Sequence, residues 1–249
     1  MTIGFLTTDD PLYLPSFYER VLDAWGTRTR SVFIVPPLYK KQTPAQAGLR
    51  YHKTFGSRAT VELARRVGQA KLAGRSIGAV CDERNVPHAT VTDVNSPGFL
   101  DQLRGLECDV LISVSCPQIF KAPLIELPPQ GILNIHGAIL PQYRGVMPSF
   151  WMLANGEEKA GVSIYFVNEA IDAGEVAGLR VFDILPEDTL DGFLRRSKAI
   201  AADLLLEVLG RMDAGTVERE PLDLAAGSYF SWPDSDAVSR FRAAGRRLW

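Results

Sequence analysis

Five short runs of β-branched and aliphatic residues, separated by stretches with helical periodicity, limit what this chain can fold into more than any other feature. The runs cover residues 3–7, 31–35, 89–92, 110–114 and 131–135. The run Val110-Leu111-Ile112-Ser113-Val114 lacks polar alternation, as a strand covered on both faces does. Between the runs, Leu14, Phe17, Val21, Leu22 and Trp25 fall at helical spacing, as do Leu63, Val67 and Ala70, with Gly74 as a stop. Residues 76–81 read as a short helix or a strand. Ser96 and Pro97 open a helix that runs to about Leu106, as N-cap and first helical residue. Strands that alternate with helices predict an α/β fold, a mostly parallel, twisted sheet with helices on both faces.

Further along, residues 148–154 read as a short helix, residues 161–167 and 176–183 as strands around a loop, and Thr189 as the cap of a long helix ending at Gly210. This reading divides the chain into a core of residues 1–210 and a short C-terminal extension, residues 211–249, packed on the core with a last helix after Ser235. Residues 38–58 are polar and mixed, and read as a loop.

Composition removes several functions. The 249 residues are 46% hydrophobic and 22% charged, an ordinary globular balance. The net charge of -2 supplies no basic field for a nucleic-acid backbone, so no nucleic-acid partner is expected. Cys81, Cys108 and Cys116 are odd in number and lack CxxC spacing, and His52, His88 and His136 are the only histidines. Neither a disulfide framework nor a metal centre is expected. The first ten residues lack a basic stretch followed by an apolar one, and no apolar run reaches the roughly 20 residues that span a bilayer, so a cytoplasmic location is expected. There is no GxGxxG after the first strand and no GxxxxGK[ST], which disfavours a dinucleotide or P-loop site.

Chemistry concentrates in residues 131–178. Asn134 and His136 are two apart at the end of a strand, so their side chains leave on the same face. Strand ends are where α/β sheets bind ligands. Asp172 follows in a loop between two expected strands, before Gly174. An amide, an imidazole and a carboxylate suit acyl transfer to nitrogen. The amide N–H and a protonated imidazole can donate to the oxyanion of a tetrahedral intermediate; such donors are worth roughly 2.7–4 kcal/mol each. The carboxylate can hold the imidazole protonated or take the proton of the amine. From the residues alone a structural histidine, a turn asparagine and an Asx-turn aspartate remain equally open.

The combination Asn134-Ile135-His136, Leu140-Pro141-Gln142-Tyr143-Arg144-Gly145 and Asp172-Ala173-Gly174 resembles the signature of the folate-dependent formyltransferases, Asn-x-His, Leu-Pro-x-x-Arg-Gly and Asp-x-Gly in that order. The resemblance implies a Rossmann-like fold without a nucleotide fingerprint, 10-formyltetrahydrofolate as formyl donor, and Asn134, His136 and Asp172 as the catalytic trio. It also implies a folate pocket made of Pro117, Gln118, Ile119, Phe120, Leu140, Asn168, Glu169, Ala170 and Ile171, largely through backbone groups. The chain departs from the usual pattern at Gly137-Ala138-Ile139 and at Cys116-Pro117.

The acceptor is expected to be a small amine, with an amino sugar nucleotide as first choice. Fewer than forty residues follow Gly210, too few for the extra barrel of the methionyl-tRNA formyltransferases. The turn Thr7-Thr8-Asp9-Asp10 is acidic, unlike the glycine-rich phosphate loop of the glycinamide ribonucleotide enzymes. A deformylase that hydrolyses the donor, a methionyl-tRNA formyltransferase-like enzyme, and a folate-binding protein without turnover remain as alternatives. Arg240, Arg242, Arg246 and Arg247 are read as a solvated helix face or as contacts to a diphosphate, and the Tyr229–Trp232 cluster as packing of the tail or as a stack for a base or sugar. Phe150 and Trp151 are read as core, and His52 and Lys53 as local structure or as acceptor contacts. A homodimer is a further expectation.

Overall fold

The computed structural model describes residues 1–36 and 43–249. Strands β1 (Ile3–Thr8), β2 (Thr29–Val35), β3 (His88–Thr90), β4 (Val110–Val114), β5 (Ile132–His136), β7 (Lys159–Phe166) and β8 (Val176–Asp183) form one sheet in the order β3-β2-β1-β4-β5-β7-β8. The first five run parallel; β7 is antiparallel to β5, and β8 to β7. β1 and β4 are buried along their whole length, because helices cover both faces.

On one face, α1 (Pro15–Trp25), α4 (Ile77–Glu83) and α8 (Leu190–Asp213) pack Phe17, Val21, Val80, Leu204, Leu205 and Val208 against Ile3, Phe5, Ile112 and Ile164. On the other, α5 (Pro97–Leu106) and α6 (Ala122–Ile125) pack Phe99, Leu100, Leu103 and Leu124 against Leu6, Phe33, Leu111 and Ile132. The order of strands reverses between β1 and β4, so their C-terminal ends open a crevice where ligands enter such sheets.

Three expectations need correction. The first concerns residues 38–58: residues 38–42 lie outside the described residues, but the rest is not a loop. α2 (Pro44–Phe55) and α3 (Ser57–Leu72) meet at Gly56, whose φ of 88° lies in the region that favours glycine. Thr43 and Gln46 form a capping box, and Pro44 opens α2, yet among the described side chains of that helix only Phe55 is buried. A helix that buries so little leaves no apolar stripe to read. Second, α8 passes Gly210 and ends at Asp213, because Val208, Leu209 and Met212 prolong its buried stripe; Gly215, with φ 69°, follows its end. Third, Ser96 precedes α5 but does not cap it with its side chain; its hydroxyl donates to the Asp93 carbonyl.

The tail is woven into the core. β9 (Tyr229–Phe230) pairs in parallel with β6 (Arg144–Gly145). Phe230 stacks on Tyr143 and packs on Trp151, whose indole N–H donates to Ser231 O. Trp232 donates to Thr54 Oγ1 and packs on Phe55. Phe241 of α9 (Ser235–Ala243) stacks on Phe150 of α7 (Pro148–Ala154).

Candidate active site

The C-terminal end of β5 carries Asn134 and His136, and β7 lies beside it with Tyr165 opposite Asn134 and Ser163 opposite His136. Asp172 follows β7 in the loop to β8, with φ 48°. The loop can close this tightly because of Gly174: a Cβ there would overlap the Phe166 carbonyl oxygen.

These elements meet in one hydrogen-bonded set. The Tyr165 hydroxyl donates to Asp172 Oδ1 at 2.8 Å, and Asn134 Nδ2 donates to the Tyr165 oxygen at 3.0 Å. Asp172 Oδ2 accepts the Gly145 backbone N–H at 2.7 Å and lies 3.7 Å from His136 Nδ1. The other imidazole nitrogen, Nε2, lies 2.8 Å from the Tyr143 carbonyl oxygen. A carbonyl only accepts, so Nε2 carries a proton and Nδ1 is the nitrogen turned toward Asp172. Tyr143 is itself anchored: its N–H donates to Ser228 Oγ, and its hydroxyl donates to Glu157 and accepts from Asn155 Nδ2. His136 and Asp172 are buried. Burial and the neighbouring carboxylate of Asp172 hold the Tyr165 phenol well above its ordinary range, so it stays protonated.

A cavity of about 190 Å³ opens on this set. Its wall includes Ser113 of β4 and Cys116 just after it, Asn134, Tyr165 and Asp172, and Gly145, Val146 and Tyr229 from the β6–β9 corner. Pro117, Gln118, Ile119, Phe120, Asn168, Glu169, Ala170 and Ile171 line it as well, which brings together eight of the nine residues implied as folate contacts. The ninth, Leu140, is elsewhere: its side chain packs with Tyr165 and Val176, and its N–H donates to Ser163 Oγ. His136 is likewise not among the lining residues, since its ring is turned to Tyr143 and Asp172. Two internal tethers shape the wall: Gln118 spans Thr92 and Val94, and Asn95 ties Ile119 to Lys121. Asn168 Oδ1 accepts from Ala170 N, which shapes the other side.

Sequence patterns did not reveal Tyr165, the Tyr143 carbonyl, the Gly145 N–H or Ser113. Tyr165 and Tyr143 occur in apolar or loop contexts where an aromatic ring reads as packing. Burial pushes the Cys116 thiol up to about 12, although the residue is only half-buried, and this disfavours its thiolate at neutral pH. No group of three or more candidate metal ligands occurs among the described residues. The Arg-rich tail is partly occupied: Arg246 donates to the carbonyls of Leu185 and Pro186, and Arg242 to that of Phe55.

Residues 58–209 match the family described as formyl transferase, and the chain belongs to that family. It is 31% identical over 159 residues to the methionyl-tRNA formyltransferase of Geobacter metallireducens, across 64% of this chain and 51% of that protein. The chain therefore spans about half the length of the curated relatives it matches. Among solved structures it is similar to a phosphoribosylglycinamide formyltransferase from Anaplasma phagocytophilum, with a TM-score of 0.63 and 15% identity over 94% of this chain and 99% of that one. It is also similar to the N-formyltransferase from Helicobacter canadensis in complex with folinic acid and dTDP-3-aminofucose, with a TM-score of 0.60 and 18% identity over 93% and 71%. At these identities the structural likeness shows a shared fold. No helix among the described residues is long and apolar enough to cross a membrane.

Proposed function

We propose that this protein transfers a formyl group from 10-formyltetrahydrofolate to the amine of a small acceptor. The observation that carries the reading is the Asn134–Tyr165–Asp172 hydrogen-bonded line on the wall of the cavity at the ends of β4 and β5. A chain of the formyl transferase family with this arrangement has each group that direct formyl transfer needs.

The cavity takes the fused-ring head of the folate, between residues 117–120 and 168–171. Its volume of about 190 Å³ suits that head alone, so the remainder of the donor extends outward. The amine attacks the formyl carbon, and the carbonyl oxygen becomes an oxyanion. Asn134 spends one Nδ2 proton on Tyr165 and keeps a second for the oxyanion. His136 supports the developing charge from behind the cavity wall when Nδ1, turned toward Asp172, also carries a proton, since its Nε2 proton belongs to the Tyr143 carbonyl. Asp172 receives the amine proton, directly or through water. The C–N bond to folate then breaks, and tetrahydrofolate leaves with the electron pair and a proton.

The acceptor is an amino sugar nucleotide in this reading. The net charge of -2 fits a small ligand better than a polyanion. The fold is shared over 93% of the chain with an enzyme whose structure holds dTDP-3-aminofucose. The test is turnover of 10-formyltetrahydrofolate against amino sugar nucleotides, glycinamide ribonucleotide, charged initiator tRNA and a no-amine control. Tetrahydrofolate release that depends on an amino sugar nucleotide is expected. Release that depends on tRNA or glycinamide ribonucleotide replaces the acceptor, and release in the no-amine control makes the protein a deformylase.

A further inference from the structure

Asp172 is held through both oxygens, and one of its two holders also holds Asn134. The Tyr165 oxygen is the shared atom: 2.8 Å from Asp172 Oδ1 and 3.0 Å from Asn134 Nδ2. A carboxylate offers no proton, so the hydroxyl proton of Tyr165 must lie toward Asp172. The oxygen is then an acceptor toward Asn134, and it accepts only from the NH2 side of that amide. This direction of bonding decides which way the amide of Asn134 faces. Were the amide turned over, its oxygen would meet the phenol oxygen, and Tyr165 would have to abandon Asp172 to donate to it. The arrangement thus has one low-energy sense, Asn134 to Tyr165 to Asp172.

We propose that Tyr165 is a positioning residue for the transfer step, whose hydroxyl locks the Asn134 amide with an N–H available to the oxyanion while anchoring one oxygen of Asp172. The proposal rests on the formyl-transfer reading above. Tyr165 stands directly opposite Asn134 in the β5–β7 register, so the sheet itself sets the separation. Its ring is buried between Leu140 and Val176, which fixes the hydroxyl in place. A phenol kept protonated by its surroundings is suited to orient, not to exchange protons. The second holder of Asp172, the Gly145 N–H, comes from the loop that the tail strand closes. Carboxylate and amide are therefore tied to separate elements through one hydroxyl, and a small displacement of reacting groups lowers rates steeply.

Tyr165→Phe removes the hydroxyl and keeps the ring, so it separates orientation from packing. The expected result is a kcat lowered about 10- to 100-fold, with the folate dissociation constant and the melting temperature close to those of the wild type. In the same variant the Asn134 side-chain amide, assigned by 15N NMR against Asn134→Ala, should shift and broaden as it loses its fixed partner. A kcat within twofold of wild type overturns the proposal. So does a loss of rate that tracks an equal loss of folate affinity and melting temperature, since that is a packing effect. If the wild type itself turns over no amine, the formyl-transfer reading fails; the NMR arm still decides the positioning role, and an unchanged Asn134 resonance rejects it.

Discussion

Asn134, His136 and Asp172 differ in how much of their chemistry a sequence can disclose. The two-residue spacing on β5 correctly puts Asn134 and His136 on one side of a strand, since side chains alternate. It does not disclose that His136 gives its Nε2 proton to the Tyr143 carbonyl, because that depends on how the 137–143 loop folds back. Tyr165 was hidden for a similar reason: it meets Asn134 only through antiparallel pairing of β5 and β7, and pairing partners cannot be read from one strand. Replacing Asn134 with alanine removes an oxyanion donor and is expected to lower kcat about 100- to 1,000-fold, with folate affinity retained. Steady-state rates alongside a fluorescence binding titration check this; equal losses in both would place Asn134 in folate binding instead. Cys116, although on the cavity wall, is expected to resist alkylation at pH 8, where a thiol of pKa about 12 is about one part in 10,000 thiolate. Mass-resolved labelling with iodoacetamide reads this directly, and rapid modification of native Cys116 would contradict it.

At the scale of elements, two tight corners hold the site. Gly145 has φ 98°, and a Cβ there would overlap the Phe230 carbonyl; Gly174 is equally closed by the Phe166 carbonyl. Gly174→Ala is expected to cost about 1–3 kcal/mol and to displace Asp172. A urea titration measures the first, and loss of turnover the second; a variant with native midpoint and native rate would show the corner to be slack. The β6–β9 pair brings Tyr229, half exposed, to the cavity wall from a tail that lies outside the family match at residues 58–209. Tyr229→Ala is expected to raise KM for the donor or the acceptor several-fold with kcat little changed. Steady-state kinetics with each substrate varied would show which one, and unchanged constants would remove Tyr229 from the site. The strands were legible because β1, β2, β4 and β5 each contain a short cluster of aliphatic and aromatic residues, whereas α2 was not, since among its described side chains only Phe55 is buried. Its capping box, Thr43 to Gln46, was the one available signal.

Over the whole molecule, packing around the sheet covers the thiols, Cys81 and Cys108 fully and Cys116 in part. Burial pushes Cys81 and Cys108 up to about 11 and Cys116 up to about 12. The unfolded chain releases these protons near pH 8.5, so the folded state binds more protons above that pH. Their contribution to stability is whole below about pH 8.5 and is lost as pH rises toward 11–12. The melting temperature is expected to fall between pH 8 and pH 10.5, and to fall less steeply in a Cys81→Ala, Cys108→Ala variant. Parallel slopes for the two proteins would contradict this.

The central claim is that formyl transfer to an amine takes place beside Asn134 and Asp172. The measurement that tests it most directly uses donor labelled with 13C in the formyl group and follows the label by mass spectrometry, in the wild type and in Asp172→Asn. The expected result is labelled formamide product with the wild type, and at least a 100-fold slower appearance of it with Asp172→Asn, whose folate binding is kept. Label appearing at equal rates with both proteins would place the chemistry elsewhere.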